Sequence, residues 1–346
     1  MTFVVQPRSP LLEKAAAAGL PVLPCRMRSE LGLLAALRLA VAMRRRKCRL
    51  VHFHDAHAAA VGGIAAALAR VPLRVISRRV DFPLGRNFLS RRKYTRAADA
   101  VIAISQGVKR VLVEGGVEAE RVEVVPSGID FSVYDQELPR DYLRREFHFS
   151  EGDYLVGIVA QLEDHKGHRY LIEAARLLMQ RTRKVKIIIV GEGSLRLELT
   201  RQADQLEVKD LVYFMGYRTD IPRILASLDL FVLSSHLEGL GSSLLDAMAC
   251  GLPVVATRTG GIPEVVHHEK TGLLVPAKNP EALAEAILTL YHDRRLAGRL
   301  AEEGRRQVRD KFSAEATAAR TIEVYRKLAA QKGLRLETGG GCHPAL

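Results

Sequence analysis

EGLGSSLLDAMACGLPVVAT, residues 238–257, follows the apolar run LFVL at 230–233 and two serines, Ser234 and Ser235. The order is that of a strand, a Gly-Leu-Gly turn, a short helix and a second strand. Ser242 or Ser243 is expected to cap the helix. Gly251 and Pro253 are expected to end it, since a left-handed glycine followed by proline closes a helix. At such a helix start the free backbone N–H groups point outward and the helix dipole adds positive potential. Gly239 and Gly241 carry no Cβ that would hold an anion away. The segment therefore reads as a phosphate seat at the end of a buried strand. Glu238 precedes the turn and Asp246 lies one turn inside the helix. Read alone, Asp246 is a capping-box acid for Ser243 in an S-x-x-D pattern, or a carboxylate that also accepts bonds from two ribose hydroxyls. Glu238 is a loop acid or, beside an anion seat, a binder of neutral hydroxyls.

Working outward, short Val/Ile-rich runs alternate with Ala/Leu/Arg segments of helical period. Candidate strands are 3–6, 50–54, 74–77, 100–104, 122–126, 155–160, 186–190, 212–215, 230–233 and 254–257. Unbroken apolar strands alternating with helices indicate parallel sheets covered on both faces. A chain of 346 residues has room for two such cores, since domains rarely exceed about 200 residues. The polar stretch 130–153 is the natural linker. The expected fold is α/β, with two Rossmann-like doubly wound domains facing a cleft. Residues 1–140 would form one domain and 150–311 the other. A helix at 312–332, capped by Ser313, is expected to cross back to the first domain, and 333–346 to be a disordered tail. Ligands of such sheets bind outside the carboxyl ends of the strands, so the motifs should converge on the cleft.

Charge is unevenly shared. Residues 1–150 hold 25 Lys/Arg against 14 Asp/Glu, and residues 151–346 hold 27 against 25. Two basic clusters, 44–49 and 78–96, account for much of the excess and suggest an anionic partner such as acidic phospholipid or a phosphorylated acceptor, or else a solvated face. Nucleic acid is disfavoured, because the chain has no Trp and only 5% aromatics for base stacking. The apolar windows 31–43 and 56–69 fall short of the ~20 residues a membrane-spanning helix needs. The start, MTFVVQPRSP, lacks signal-peptide features. Cys25, Cys48, Cys250 and Cys342 are scattered and imply neither a zinc site nor a disulfide framework, which favours a reducing cytoplasm.

The 238–257 segment resembles the E-x7-E motif of the family 4 glycosyltransferases, which have the GT-B fold. VAQLEDHKGHRYLIEAARLL (159–178), IIIVGEGSLRLEL (187–199), VYFMGYRTDIPRILASLDLFVLSS (212–235) and TGGIPEVVHHEKTGLLVPAKNPEALAEAI (259–287) extend the resemblance. VHFHDAHAA (51–59), DAVIAISQGVKRVLVEGGV (99–117) and VVPSGID (124–130) carry it through the first half. The resemblance implies a retaining, metal-independent hexosyltransferase that uses a nucleotide-sugar donor and no cofactor. Glu238 would hold donor-sugar hydroxyls and Asp246 the ribose. The backbone N–H groups of Ser242 and Ser243 would hold the diphosphate, reached past Gly239 and Gly241, and Lys166 would pair with it as it leaves. His54 would face the donor sugar. Without the family, His52, His54 and His57 could be a metal cluster or strand-end residues; the resemblance excludes the metal. A saccharide or lipid-linked acceptor is implied, as in cell-envelope glycan or lipopolysaccharide synthesis. The protein would then be cytoplasmic, with peripheral contact to an anionic membrane through its basic N-terminal surface.

The chain departs from the family pattern in four places. Gln161 stands where an arginine is usual, which removes a charge from the phosphate clamp but keeps a hydrogen-bond donor. Asp246 replaces glutamate and Ser127 replaces asparagine. The opening strand and Gly-rich loop of the family have no counterpart before residue 3, so an unpaired sheet position, an incomplete acceptor site and impaired activity are expected. Two other readings stay open: a nucleotide-sugar epimerase or sugar phosphorylase of the same fold, and a truncated, non-catalytic sugar-nucleotide-binding protein. A dinucleotide oxidoreductase is discounted, as no G-x-G-x-x-G lies near the N-terminus.

Overall fold

Parallel strands separated by helices are what this alternation builds in the computed structural model, which describes residues 1–27, 32–84, 94, 95 and 97–335. The first half runs β1 (Phe3–Val5), α1 (Pro10–Ala17), β2 (Val22–Pro24), α2 (Leu33–Arg45), β3 (Leu50–Phe53), α3 (Ala56–Ala69), β4 (Leu73–Arg78), β5 (Ala100–Ala103), α4 (Gln106–Glu114) and β6 (Val122–Val124). Its strands form two sheets: a parallel pair β1-β2 and a four-stranded parallel sheet β3-β4-β5-β6. The basic stretch 78–96 and the tail 333–346 lie partly outside the described residues.

The second half begins with α5 (Tyr142–Phe147), then β7 (Tyr154–Val159), α6 (His168–Arg181), β8 (Val185–Val190), α7 (Arg196–Gln205), β9 (Val212–Gly216), α8 (Ile221–Ala226) and β10 (Leu230–Leu233). It continues through α9 (Ser242–Ala249), β11 (Val254–Thr257), α10 (Ile262–Val265), β12 (Leu273–Val275), α11 (Pro280–His292), α12 (Arg294–Lys311) and α13 (Ala314–Gln331). One parallel sheet holds all six of its strands, in the order β12-β11-β10-β7-β8-β9.

Strand periodicity divides this sheet's side chains between two cores. Val156, Ile158, Ile187, Ile189, Leu230 and Val232 pack with Leu171 and Leu178 of α6 and with Leu283 and Ile287 of α11. The alternate residues Leu155, Ile188, Phe231 and Leu233 pack with Leu244 and Met248 of α9 and Val308 of α12. Helices on both faces explain why the strands are apolar throughout.

Each of the ten strand runs read from the sequence contains a strand; β2 and β12, three residues each, were not among them. The polar stretch 130–153 is more than a solvated connection. It folds as α5, with Leu143 fully buried and Arg144 bound to Asp229 at 3.0 Å. Ser313 caps α13 by accepting the Ala316 N–H at 3.0 Å. α13 then lies on the four-stranded sheet, where Val324 and Leu328 pack with Leu73, Val75, Ala100 and Ile102. The two strands of chain that pass between the halves are bound to each other: Ile129 N–H donates to the Phe312 carbonyl and Ala314 N–H to the Ile129 carbonyl, each at 3.0 Å.

Candidate functional site

The six-stranded order reverses between β7 and β10. The chain runs outward from β7 to β8 and β9 on one side, and from β10 to β11 and β12 on the other. Loops leaving two such strands diverge, which opens a crevice outside their carboxyl ends. Here those loops carry Lys166 and Glu238. Gly167 takes a φ of 67°, and a Cβ on it would sit 2.2 Å from the Ser234 carbonyl oxygen, so glycine is what lets the loops touch. Ser234 Oγ donates to the Lys166 carbonyl at 3.1 Å, and His236 N–H to the His165 carbonyl at 2.9 Å. Stitched in this way, the loops place Lys166 Nζ 2.7 Å from Glu238 Oε2, and Ser235 Oγ donates to the same carboxylate oxygen at 3.1 Å. The lysine and glutamate singled out in the sequence are thus one largely buried ion pair at the switch point.

The first half closes against this corner through the carboxyl ends of its own strands. Asp81, buried beyond β4, accepts the Glu238 N–H at 2.8 Å. Ser105, beyond β5, caps α4 by accepting the Val108 N–H at 3.0 Å and donates its hydroxyl to the Gly239 carbonyl at 2.6 Å. From the other side Glu264 of α10 accepts the N–H groups of Gln106 and Gly107 at 2.9 and 3.0 Å. Its carboxylate thereby sits on the positive end of α4. The approach is backbone to backbone: a Cβ on Gly239 would lie 2.5 Å from the Arg79 carbonyl oxygen, and one on Gly107 would lie 2.9 Å from Gly260. The peptide groups around Glu238 are therefore held from both halves.

α9 starts differently from the serine-capped reading. Its N-cap is Gly241 at φ 85°, with no side-chain cap, so neither Ser242 nor Ser243 closes the helix. Gly241 reaches the left-handed conformation that turns the strand loop into the helix, which a capping serine could not adopt without strain. Ser242 and Ser243 are the first two helical residues, and their N–H groups are among those a helix leaves without internal partners. Asp246 does not cap either. It accepts the Tyr134 hydroxyl at 2.7 Å, and burial holds its carboxyl above the usual range while that bond works the other way. Burial, with Asp246 adding to it, also raises the Tyr134 phenol.

Gln161 lies exposed just past β7. His54, just past β3, stacks on His52 with ring centroids 4.1 Å apart. Its pKa is lowered by desolvation, then by the Arg79 guanidinium. His52 lies 2.6 Å from the Tyr325 hydroxyl through Nδ1 and 2.8 Å from Ser77 Oγ through Nε2. Burial, with His54 and Arg79, lowers its pKa to about 3. Among the described residues no group of three His, Cys, Asp or Glu is placed to hold a metal ion. Asp81, Ser105 and Tyr134 carry no spacing signal in the sequence. Ser105, in DAVIAISQG, and Glu264, in TGGIPE, do lie in stretches that carry the family resemblance, but nothing local marks them as site residues.

Residues 2–133 match the family model Glycosyltransferase Family 4, and residues 139–307 match Glycosyl transferases group 1. The N-acetyl-alpha-D-glucosaminyl L-malate synthase of Bacillus anthracis is 28% identical over 66% of this chain and 59% of its own length. A GDP-mannose-dependent alpha-(1-6)-phosphatidylinositol monomannoside mannosyltransferase of Mycobacterium tuberculosis is 29% identical over 70% of this chain and 65% of its own. The matched region thus spans less than two thirds of these curated relatives. Among solved structures, Anabaena HepE in complex with UDP and glucose superposes with a TM-score of 0.84 at 25% identity, covering 94% of this chain and 91% of its own.

Proposed function

Since the chain belongs to the group 1 glycosyltransferases of family 4, we propose that it moves a hexosyl group from a nucleotide-sugar donor to a saccharide or lipid-linked saccharide acceptor, with retention at the anomeric carbon. The observation that carries this reading is the Lys166–Glu238 pair at the β7/β10 switch point, beside the open start of α9. A bound diphosphate would draw the Lys166 ammonium to itself and free the Glu238 carboxylate for sugar hydroxyls. The N–H groups of Ser242 and Ser243 would cradle the phosphates, with Gln161 adding a hydrogen bond. Asp246 would exchange Tyr134 for the ribose, and His54 would face the sugar from the other half.

In the transfer the bond between the anomeric carbon and the diphosphate oxygen breaks, and the acceptor oxygen bonds to the same face. The acceptor's proton passes to the departing phosphate oxygen. Positive charge builds on the sugar ring and negative charge on the diphosphate, so Lys166 and the α9 dipole act where charge develops. The chemistry asks nothing of a metal or cofactor. The acceptor is read as a cell-envelope glycan such as lipopolysaccharide, with peripheral membrane contact through the basic N-terminal surface. A thermal-shift screen of UDP-, GDP- and ADP-sugars, followed by a crystal soaked with the best of them, tests the donor site. Density for the diphosphate at α9 and the hexose at Glu238 is expected, and a donor in any other pocket overturns the reading. Incubation with donor alone separates transfer from epimerisation, which would convert the donor with no acceptor present.

A further inference from the structure

Strand periodicity puts Leu50 and His52 on one face of β3 and Val51 and Phe53 on the other, and His54 follows on the His52 side just past the strand. α13 covers that side: Leu50 packs with the cluster that holds Val324 and Leu328. A histidine in such an apolar seam needs partners for its ring nitrogens. His52 has one on each side, the Tyr325 hydroxyl of α13 at 2.6 Å from Nδ1 and Ser77 Oγ of β4 at 2.8 Å from Nε2. The Tyr325 ring also meets the imidazole edge-on, with centroids 5.7 Å apart at 89°. Burial pushes the Tyr325 phenol up to about 12 and, with His54 and Arg79, lowers His52 to about 3. At neutral pH an uncharged ring is thus tied at both nitrogens to two hydroxyls that keep their protons. His54 has no such tie. It stands exposed beyond β3, and among the described residues no hydrogen bond holds its ring. What it rests on is His52, with ring centroids 4.1 Å apart and planes at 33°.

A side chain without a polar tether is aimed by the surface it packs on. We propose that Tyr325 and Ser77 are positioning residues for His54: by pinning His52 at both nitrogens, they fix the surface on which the His54 imidazole stacks and hold it toward the cleft. The inference rests on the reading of His54 as the group that faces the donor sugar, and it deepens that reading by naming what orients the ring. Such support matters because a group that meets developing charge is effective only if its orientation is set beforehand. The support is also long-range. Tyr325 follows the whole second half in the chain and lies 273 residues from the ring it binds. The returning helix therefore does more than cover the first sheet.

Two measurements on the full chain test this. In the first, the histidine rings are labelled with nitrogen-15 and observed by NMR without any substrate, the His54 signals being assigned by their loss in His54→Ala. Tyr325→Phe keeps the ring packing and removes only the hydroxyl. It should displace the His54 signals, although the hydroxyl does not touch that ring, and leave those of His168 in the other half where they are. Ser77→Ala cuts the other tie and should do the same, which covers the case of one variant folding poorly. Unmoved His54 signals in both variants would overturn the proposal whatever the donor is. The second measurement follows release of nucleoside diphosphate from UDP-, GDP- and ADP-glucose in parallel. His54→Ala should lower kcat on the order of a hundredfold. Tyr325→Phe should lower it about fivefold, as for one lost hydrogen bond, with the donor KM unchanged. In the His54→Ala background Tyr325→Phe should cost nothing further, because its effect passes through the missing ring. An equal loss in both backgrounds would make Tyr325 merely structural and overturn the proposal. Displaced signals in a chain whose turnover ignores His54→Ala, or that releases diphosphate from none of the three donors, would instead fell the donor reading of His54 while the ring tether stood.

Discussion

The two halves of the molecule solve the same packing problem with different completeness. In the second half β7 sits inside a continuous six-stranded sheet, paired with β8 on one side and β10 on the other, and every residue from Tyr154 to Ile158 is buried. In the first half the strands divide into a pair and a group of four. No described strand joins β1 to β3, and of the six residues in β1 and β2 only Val5 is buried. The difference separates two tasks. Loops rooted in adjacent strands of the continuous sheet hold Lys166 and Glu238 in register. The first half reaches the same corner through single side chains, Asp81 and Ser105, whose bonds to Glu238 and Gly239 exist only while the halves touch.

The largest test of this contrast is a pair of truncations. Phe231→Ala, in fully buried β10, should cost about 3–5 kcal/mol in chemical denaturation, whereas Val4→Ala, on half-exposed β1, should stay within about 0.5 kcal/mol. Equal losses would break the comparison. Next in size is the effect on turnover. Lys166→Ala should lower donor turnover by roughly 10²–10³-fold, as for removal of a group that meets developing charge. Ser105→Ala removes one hydrogen bond across the cleft and should cost about fivefold.

Glu264→Ala sharpens the account of how the halves meet. It strips a carboxylate from two N–H groups at the start of α4 and should cost about 1–2 kcal/mol. Steady-state kinetics should show it as a raised donor KM with kcat largely kept, with Glu264→Gln recovering part of the loss. An unchanged KM would mean that closure does not depend on this contact. A further test is one of pH. His52 has its pKa lowered from 6.5 to about 3, so between those values the unfolded chain binds the extra proton and stability rises with pH. The contribution is complete above pH 6.5 and is lost as pH falls toward 3, with a slope of at most ~1.4 kcal/mol per unit. His168 in α6, lowered to about 4 mainly by burial, acts in the same direction on the other half. Acid should therefore speed hydrogen exchange in β3 and α13 as well as in α6. His52→Gln should remove only the first response; its persistence would place the proton elsewhere.

The contrast also explains how far the sequence could be read. Unbroken apolar runs such as LVGIV and LFVL announce buried parallel strands, and the glycines of EGLG and DHKG mark loops that approach another backbone closely. Glu238 is legible as a candidate from its own loop, whereas Lys166 read alone is a surface lysine and becomes a candidate only through the family resemblance. What escaped is set by tertiary distance. Asp81 meets Glu238 across 157 residues and Tyr134 meets Asp246 across 112, so no local period connects them. β2, three residues ending in Pro24, and β12, three residues after a turn, are too short to show a strand's alternation. The helix start at Gly241 was misread because a serine after a glycine looks like a cap until the backbone is seen to turn left-handed.

The return of α13 bears on how the protein is made. Leu73, Val75, Ala100 and Ile102 find their apolar cover only when Val324 and Leu328 emerge, more than two hundred residues later. During synthesis the ribosome therefore releases a first half with one face of its sheet still wet, while the second half can already complete its own core. Contacts of such long separation form slowly and leave sticky surface in the meantime. A chain truncated before residue 314 should be the form that engages chaperones most strongly, and one that extends through residue 331 should be released.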